Sequence, residues 1–258
     1  VVKDKDGKNT DVVLGYENAE TYQQQMASFG AVVGRNCNRI ANAEIVIDGV
    51  TYQLEKNDNE NNLHSGSQAT SRRLWDAEEQ TADKITFVIK DAEGQQGYPG
   101  NAVMKVTYEV TEANELSITY HATADKTTIF NMTNHAYFNL CGKGKKITEH
   151  RLHIPADRIL DTTSAFIPTG RKMKVKNTPF DFTSLKPIGT DLYADHEQLL
   201  WNKGYNHCYI LKDEISVEML EAASLYEPVT GRKMTVMTDL PAVLLYTAGY
   251  YERPDTAV

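Results

Sequence analysis

Apolar residues in this chain come in short runs, and most of them alternate with polar ones. Lys84 to Lys90 reads K-I-T-F-V-I-K, Ala102 to Val110 reads A-V-M-K-V-T-Y-E-V, and Leu116 to Ala122 reads L-S-I-T-Y-H-A. A period of two places one side-chain set on a buried face and the other toward solvent, which is the mark of a half-buried strand. The last two runs flank Glu112-Ala113-Asn114 and so predict a hairpin. Ala43 to Leu54 predicts another, folded about Asp48-Gly49, a dipeptide suited to a two-residue turn. Tyr209–Leu211, Ser216–Leu220, Ala223–Tyr226, Lys233–Thr238 and Val243–Thr247 continue the series. Only Asn18–Ala27 and Asp191–Leu200 predict helices, both brief. Many short strands with frequent turn residues predict an all-β fold, a large antiparallel β-sandwich, in place of alternating βαβ units. No fixed-period repeat and no linker of Gly, Ser or Pro divides the chain, so residues 1–258 are read as a single domain.

Composition narrows the function classes. The chain has 258 residues, 41% of them apolar, enough for a sizeable core. Its 35 acidic and 27 basic residues give a formal net charge of −8, which argues against a nucleic-acid groove lined by Lys and Arg. The basic tip Gly142–Lys146 lacks a strand-to-helix context and reads as a solvated turn. No run is long and apolar enough to span a bilayer, and Val1–Asp11 has no leader-like character. Cys37, Cys141 and Cys208 are odd in number and widely spaced, as expected of small buried thiols in a reducing, cytoplasmic setting.

Four clusters carry candidate chemistry. Asn131–Leu140 (N-M-T-N-H-A-Y-F-N-L) sets His135 among amides, a hydroxyl and aromatics, where an imidazole can serve as a general acid. Asn61–Gly66 (N-N-L-H-S-G) places His64 in a polar loop. Gly34–Ile40 (G-R-N-C-N-R-I) offers Arg35 and Arg39, whose rigid donor forks suit vicinal hydroxyls or a carboxylate. Gly204–Leu211 (G-Y-N-H-C-Y-I-L) brings Asn206 and His207 into a strand. Each has a plainer reading, a structural histidine or an ion-paired arginine.

As an ordered set, these clusters resemble the aldose 1-epimerase (galactose mutarotase) family. The resemblance extends to Asp11–Tyr16 (D-V-V-L-G-Y), Ile167–Gly170 (I-P-T-G), Thr178–Phe182 (T-P-F-D-F), Pro228–Arg232 (P-V-T-G-R) and Pro241–Thr247 (P-A-V-L-L-Y-T). It implies a β-sandwich that interconverts the α and β anomers of a free aldose, of galactose or glucose type, by acid and base catalysis. It implies no cofactor and no metal, no nucleic-acid or membrane partner beside the sugar, and a monomer or homodimer. By the resemblance, His135 protonates the ring oxygen with His64 assisting, and Asn38, Arg39, Tyr137 and Asn206 bind sugar. Asn206 stands where the family has an Asp, Leu244 where a Gln is common, and Gly249 where an Asn is usual; these departures put the preferred sugar in question. The family's base, a Glu in an L-E-x-Q-like segment, is expected beyond Val258, and the first strands before Asp11 are expected to be missing too. Glu252 is the late alternative, but its flanks (Y-Y-E-R-P-D) do not match, and a surface carboxylate is the simpler reading. Two rival readings are a non-catalytic or sugar-phosphate-binding relative using Arg35, Arg72, Arg73 or Arg151, and a metal enzyme using His64, His135 and His207.

Overall fold

The computed structural model describes residues 1–24, 27–215 and 218–250. These fall into two compact units, one spanning residues 22–136 and the other joining residues 1–21 to 137–258. Every ladder between strands is antiparallel. Among the described residues no helix is long and apolar enough to cross a membrane.

In the unit of residues 22–136, four strands form a meander in the order Leu116–Ala124, Ala102–Val110, Lys84–Asp91, Asp76–Gln80. The alternation in Ala102–Val110 is realised directly: Ala102, Met104 and Val106 are buried, while Val103, Lys105 and Thr107 are partly exposed. The buried face, joined by Ile89, packs on Val32 and Met132. That contact anchors the two short strands Val32–Val33 and Thr133–Asn134, which pair with each other. Nearby, Glu44–Ile47 and Val50–Gln53 pair across Asp48 (φ 51°) and Gly49 (φ 77°). Two successive left-handed residues are what a type I′ turn requires. A small core of Ala43, Leu54 and Tyr98 lies under this hairpin.

The other unit holds two four-stranded sheets. One runs Lys186–Pro187, Arg151–His153, Leu220–Tyr226, Lys233–Thr238, and the other Pro168–Lys174, Arg158–Thr162, Asn206–Ile210, Ala242–Tyr246. Leu152 and Ala223 of the first meet Ile159 and Tyr209 of the second in one core that also takes in Phe180, Phe182 and Tyr205. A shared apolar core between two sheet faces is a β-sandwich. Its buried tyrosines are satisfied, with Tyr205 Oη donating to Pro179 O (2.9 Å) and Tyr209 Oη to Phe180 O (3.0 Å). At its edge, Arg232 donates to Leu140 O (2.8 Å), Thr10 Oγ1 (2.8 Å) and Lys8 O (3.2 Å). The adjoining turn is closed by Glu227, whose carboxylate accepts from the Val229 and Thr230 amides.

Apart from Ser216–Leu220, the strands read from alternation are present; that segment and both helices differ from expectation. Ser216–Leu220 and Ala223–Tyr226 were expected as separate strands. Ser216 and Val217 lie outside the described residues, and Leu220–Tyr226 is one strand carrying a bulge between Glu221 and Ala223. The helix expected at Asn18–Ala27 spans Ala19–Gln24, with Gln25 and Met26 outside the described residues. That expected at Asp191–Leu200 begins only at Glu197 and runs to Asn202, because His196 Nδ1 caps it by accepting from Gln198 N. The three cysteines are free thiols and half-buried, not fully buried as expected. Burial lifts the Cys208 thiol to about 11, so it stays protonated and inert.

Candidate active site

The strand pair Arg39–Ile40 and Asn62–Leu63 holds the first half of the site, with Arg39 opposite Leu63. Where the ladder ends, both chains turn left-handed at Asn38 (φ 62°), His64 (φ 54°), Ser65 (φ 66°) and Gly66 (φ 92°). Asparagine tolerates this region because its short side chain bonds locally, and Asn38 Oδ1 accepts from Arg39 N (2.9 Å). Histidine and serine gain less there, at about 1 kcal/mol or more of strain each. They are held by bonds on every side. His64 N donates to Asn38 O (3.0 Å), and Asn38 N donates to His64 Nδ1 (3.1 Å). Buried Ser65 accepts from Asn36 N (2.8 Å) and donates to Asn36 O (3.0 Å). With Nδ1 accepting, neutral His64 carries its proton on Nε2, which fixes that edge of the ring as a donor.

His135 follows the strand Thr133–Asn134. Its N–H donates to Ala31 O (2.9 Å) and its carbonyl accepts from Gly30 N (3.1 Å). Asn134 braces the same turn, donating to Gly30 O (3.1 Å) and Tyr108 Oη (3.0 Å) and accepting from Ala136 N (2.9 Å). The two imidazoles meet edge to face, centroids 5.4 Å apart and planes at 75°. Burial, then the His135 and Arg39 charges, pushes His64 down to about 4, with Asp58 opposing. Burial also lowers His135. Two desolvated imidazoles at this range resist carrying two protons, and His64, pushed down to about 4, is neutral at ordinary pH. Once protonated, a histidine with a lowered pKa is a stronger acid than imidazole in water.

The two arginines of G-R-N-C-N-R-I part company. Arg39 lies beside His64, its Nε 2.6 Å from Asp58 Oδ2. Arg35 is fully buried, with its donors engaged inside the fold: its Nε pairs with Asp91 (3.1 Å), and its Nη atoms donate to Pro99 O and Gly100 O (both 2.8 Å). Arg73 pairs with the same Asp91. Arg35 and Arg73 are therefore committed to one buried carboxylate.

In the other unit, Asn206 opens the strand Asn206–Ile210 directly opposite Tyr246. His207 and Tyr209 point into the core, so alternation places Asn206, Cys208, Leu244 and Tyr246 on the opposite face. Leu244, where a family member would carry Gln, thus shares a face with Asn206 and is 44% exposed. Tyr137 packs edge to face on Tyr246, centroids 5.9 Å apart. Tyr246 is a candidate that sequence alone does not mark, although it is the next-to-last residue of the P-A-V-L-L-Y-T motif. At Gly249 any Cβ would fall 2.4 Å from Lys203 O and 2.5 Å from Asn202 O, so this backbone has no room for the family's Asn. His207 is fully buried against Phe180, ring centroids 4.4 Å apart, and accepts from Asn206 N (3.0 Å) on Nδ1. Among the described residues no three His, Cys, Asp or Glu side chains converge as metal ligands. Glu252 lies outside the described residues.

The chain is similar to known proteins in both sequence and fold. The pattern of the aldose 1-epimerase family matches residues 1–256. The chain is 36% identical to the aldose 1-epimerase of Escherichia coli K12 over 245 residues, 95% of this chain and 70% of that protein. It is 38% identical to mouse galactose mutarotase over 252 residues, covering 97% and 71%. Among solved structures, galactose 1-epimerase from Lactobacillus acidophilus superposes with a TM-score of 0.85 at 29% identity, covering 97% of this chain and 73% of that one. An aldose epimerase homologue from C. elegans gives 0.85 at 31% identity, covering 95% and 73%. The all-β fold is accordingly the galactose mutarotase-like β-sandwich, and the chain belongs to the aldose 1-epimerase family.

Proposed function

We propose that this chain interconverts the α and β anomers of a free aldose of galactose or glucose type by acid–base ring opening, with His135 as the acid. The C1 hydroxyl gives up its proton to a base, its electron pair forms the C1 carbonyl as the bond from C1 to the ring oxygen breaks, and the ring oxygen takes a proton from His135. The aldehyde presents its other face to the hydroxyl formed from the ring oxygen, and the steps reverse. His64 assists as a neutral Nε2–H donor to the ring oxygen. Asn38 and Arg39 hold hydroxyls beside the histidines, and Tyr137 and Asn206 are further sugar contacts. We assign no described residue to the base.

The observation that carries this reading is the His64–His135 pair, 5.4 Å apart with the His64 tautomer set by Asn38 N. Nothing in the chemistry calls for redox or covalent steps; positioned proton transfer suffices. One family pattern running through both compact units supports treating residues 1–258 as one functional domain. The three free thiols fit a reducing, cytoplasmic setting, and a monomer or homodimer suffices. The test is polarimetry on freshly dissolved α-D-galactose and α-D-glucose. His135→Asn should stay folded and lose about two to four powers of ten in turnover. A variant with the parent rate would remove His135 from the mechanism.

A further inference from the structure

Asp58 lies outside every motif that pointed to the site, since N-x-L-H-x-G begins three residues later. It stands in a tight turn in which Asp58 N donates to Asn61 O (3.1 Å) and Asn61 N donates to Asp58 O (3.0 Å). Asn61 Oδ1 in turn accepts from Asn42 N (3.1 Å), tying the turn to the chain just past Arg39–Ile40. The Asp58 carboxylate reaches Arg39 Nε at 2.6 Å, with the two side chains 24% and 14% exposed. A guanidinium is a planar, rigid fork, so a partner on Nε fixes its plane and with it the directions of both Nη groups. A pair this far removed from water is stronger than a surface ion pair, yet it remains within reach of a solute.

We propose that Asp58 is a positioning residue for sugar binding, holding the Arg39 guanidinium in the plane from which it bonds substrate hydroxyls. The inference rests on reading Arg39 as a sugar contact and adds what orients it. We assign Asp58 no substrate contact, so its effect on binding passes through Arg39; its direct charge effect on His64 is the smallest of those acting there and is outweighed by burial. It belongs to ground-state binding and acts on KM, leaving the proton transfer at His135 untouched.

The test is a double-mutant cycle read by mutarotation kinetics and by calorimetric titration with D-galactose and D-glucose. Asp58→Asn, nearly the same in shape but uncharged, should raise KM and Kd about three- to tenfold with kcat within about twofold. Asp58→Glu, which restores the charge, should recover part of the loss. In an Arg39→Gln background, Asp58→Asn should change KM by less than about twofold, because the residue it orients is gone. Unchanged KM in Asp58→Asn, or the same loss with and without Arg39, overturns the inference. A lowered kcat at unchanged KM also overturns it. Unaltered KM in Arg39→Gln alone overturns the Arg39 assignment itself and this inference with it, and that result is visible before Asp58 is touched. Urea midpoints of all variants show whether folding has intervened, and Asp58→Glu keeps the question open to decision should Asp58→Asn unfold.

Discussion

His207 should make the protein acid-sensitive in a defined window, and replacing it should remove that sensitivity. The imidazole is fully buried between Phe180 and Tyr205, and no described group bonds its Nε2. Burial, aided by the His196 charge, pushes it down to about 4, against the ordinary 6.5 that an unfolded chain would show. The unfolded state therefore binds the proton first as pH falls. The stability this group contributes is complete above about 6.5 and is lost as pH falls toward the folded value of about 4. The gap between about 6.5 and about 4 is worth about 3 kcal/mol in full, of which about 2 kcal/mol is lost between pH 7 and pH 5. His207→Phe keeps a ring against Phe180 and has nothing to titrate. It also strands the Asn206 amide that Nδ1 now accepts, lowering stability by about 1–3 kcal/mol at every pH without changing the slope. Urea unfolding at pH 7, 6 and 5, followed by far-UV circular dichroism, should show the parent losing about 2 kcal/mol more than His207→Phe across that range. Parallel pH profiles, or an imidazole resonance of His207 that titrates near 6.5 in the folded protein, would refute the reasoning.

Other outcomes follow from the same contacts. Arg35→Met leaves buried Asp91 with Arg73 alone and strands the Pro99 and Gly100 carbonyls. It should cost about 3–5 kcal/mol in urea unfolding, and a loss under about 1 kcal/mol would mean Arg35 is not the buried anchor described. Asn134→Ala removes three bonds from the turn carrying His135 and should lower mutarotation turnover about tenfold; Tyr108→Phe, which removes one, should lower it less, and the reverse order would contradict the bracing role. Asn206→Asp adds charge to bonds with sugar hydroxyls and should change KM or the preferred aldose. Identical kinetics on every aldose tested would place Asn206 away from the substrate.

Strands with one buried face were readable from alternation, as Ala102–Val110 and Lys233–Thr238 show by matching end to end. Asp76–Gln80 was not, because D-A-E-E-Q is exposed throughout and owes its extended form to pairing with Lys84–Asp91. Pro168–Lys174 was hidden for a related reason: it is a polar edge strand, where a leading Pro is tolerated. At the site, His64, His135, Asn38 and Arg39 were reached through ordered motifs, since no local pattern says that His64 and His135 share a contact. Arg35 and Arg39 looked alike in sequence. Burial alone separates them, and burial depends on Asp91 and on carbonyls far along the chain. Asp58 gave no sign at all, because an acidic residue in a polar turn is the commonest of surface features.

Arg232 bonds Thr10, a residue 222 positions earlier in the chain. During synthesis the segment carrying Lys8 and Thr10 can pair locally, Val2 with Thr10 and Lys3 with Asn9, long before Arg232 follows it. The unit of residues 22–136 is continuous in sequence and holds its own cores, so it can settle while the rest is still being made. The interrupted unit cannot. Its opening segment waits through the making of everything between, a long closure that only the arrival of Pro228–Arg232 completes. Slowing translation after residue 136 should therefore leave the first unit protease-resistant on the ribosome while residues 1–21 remain open to cleavage.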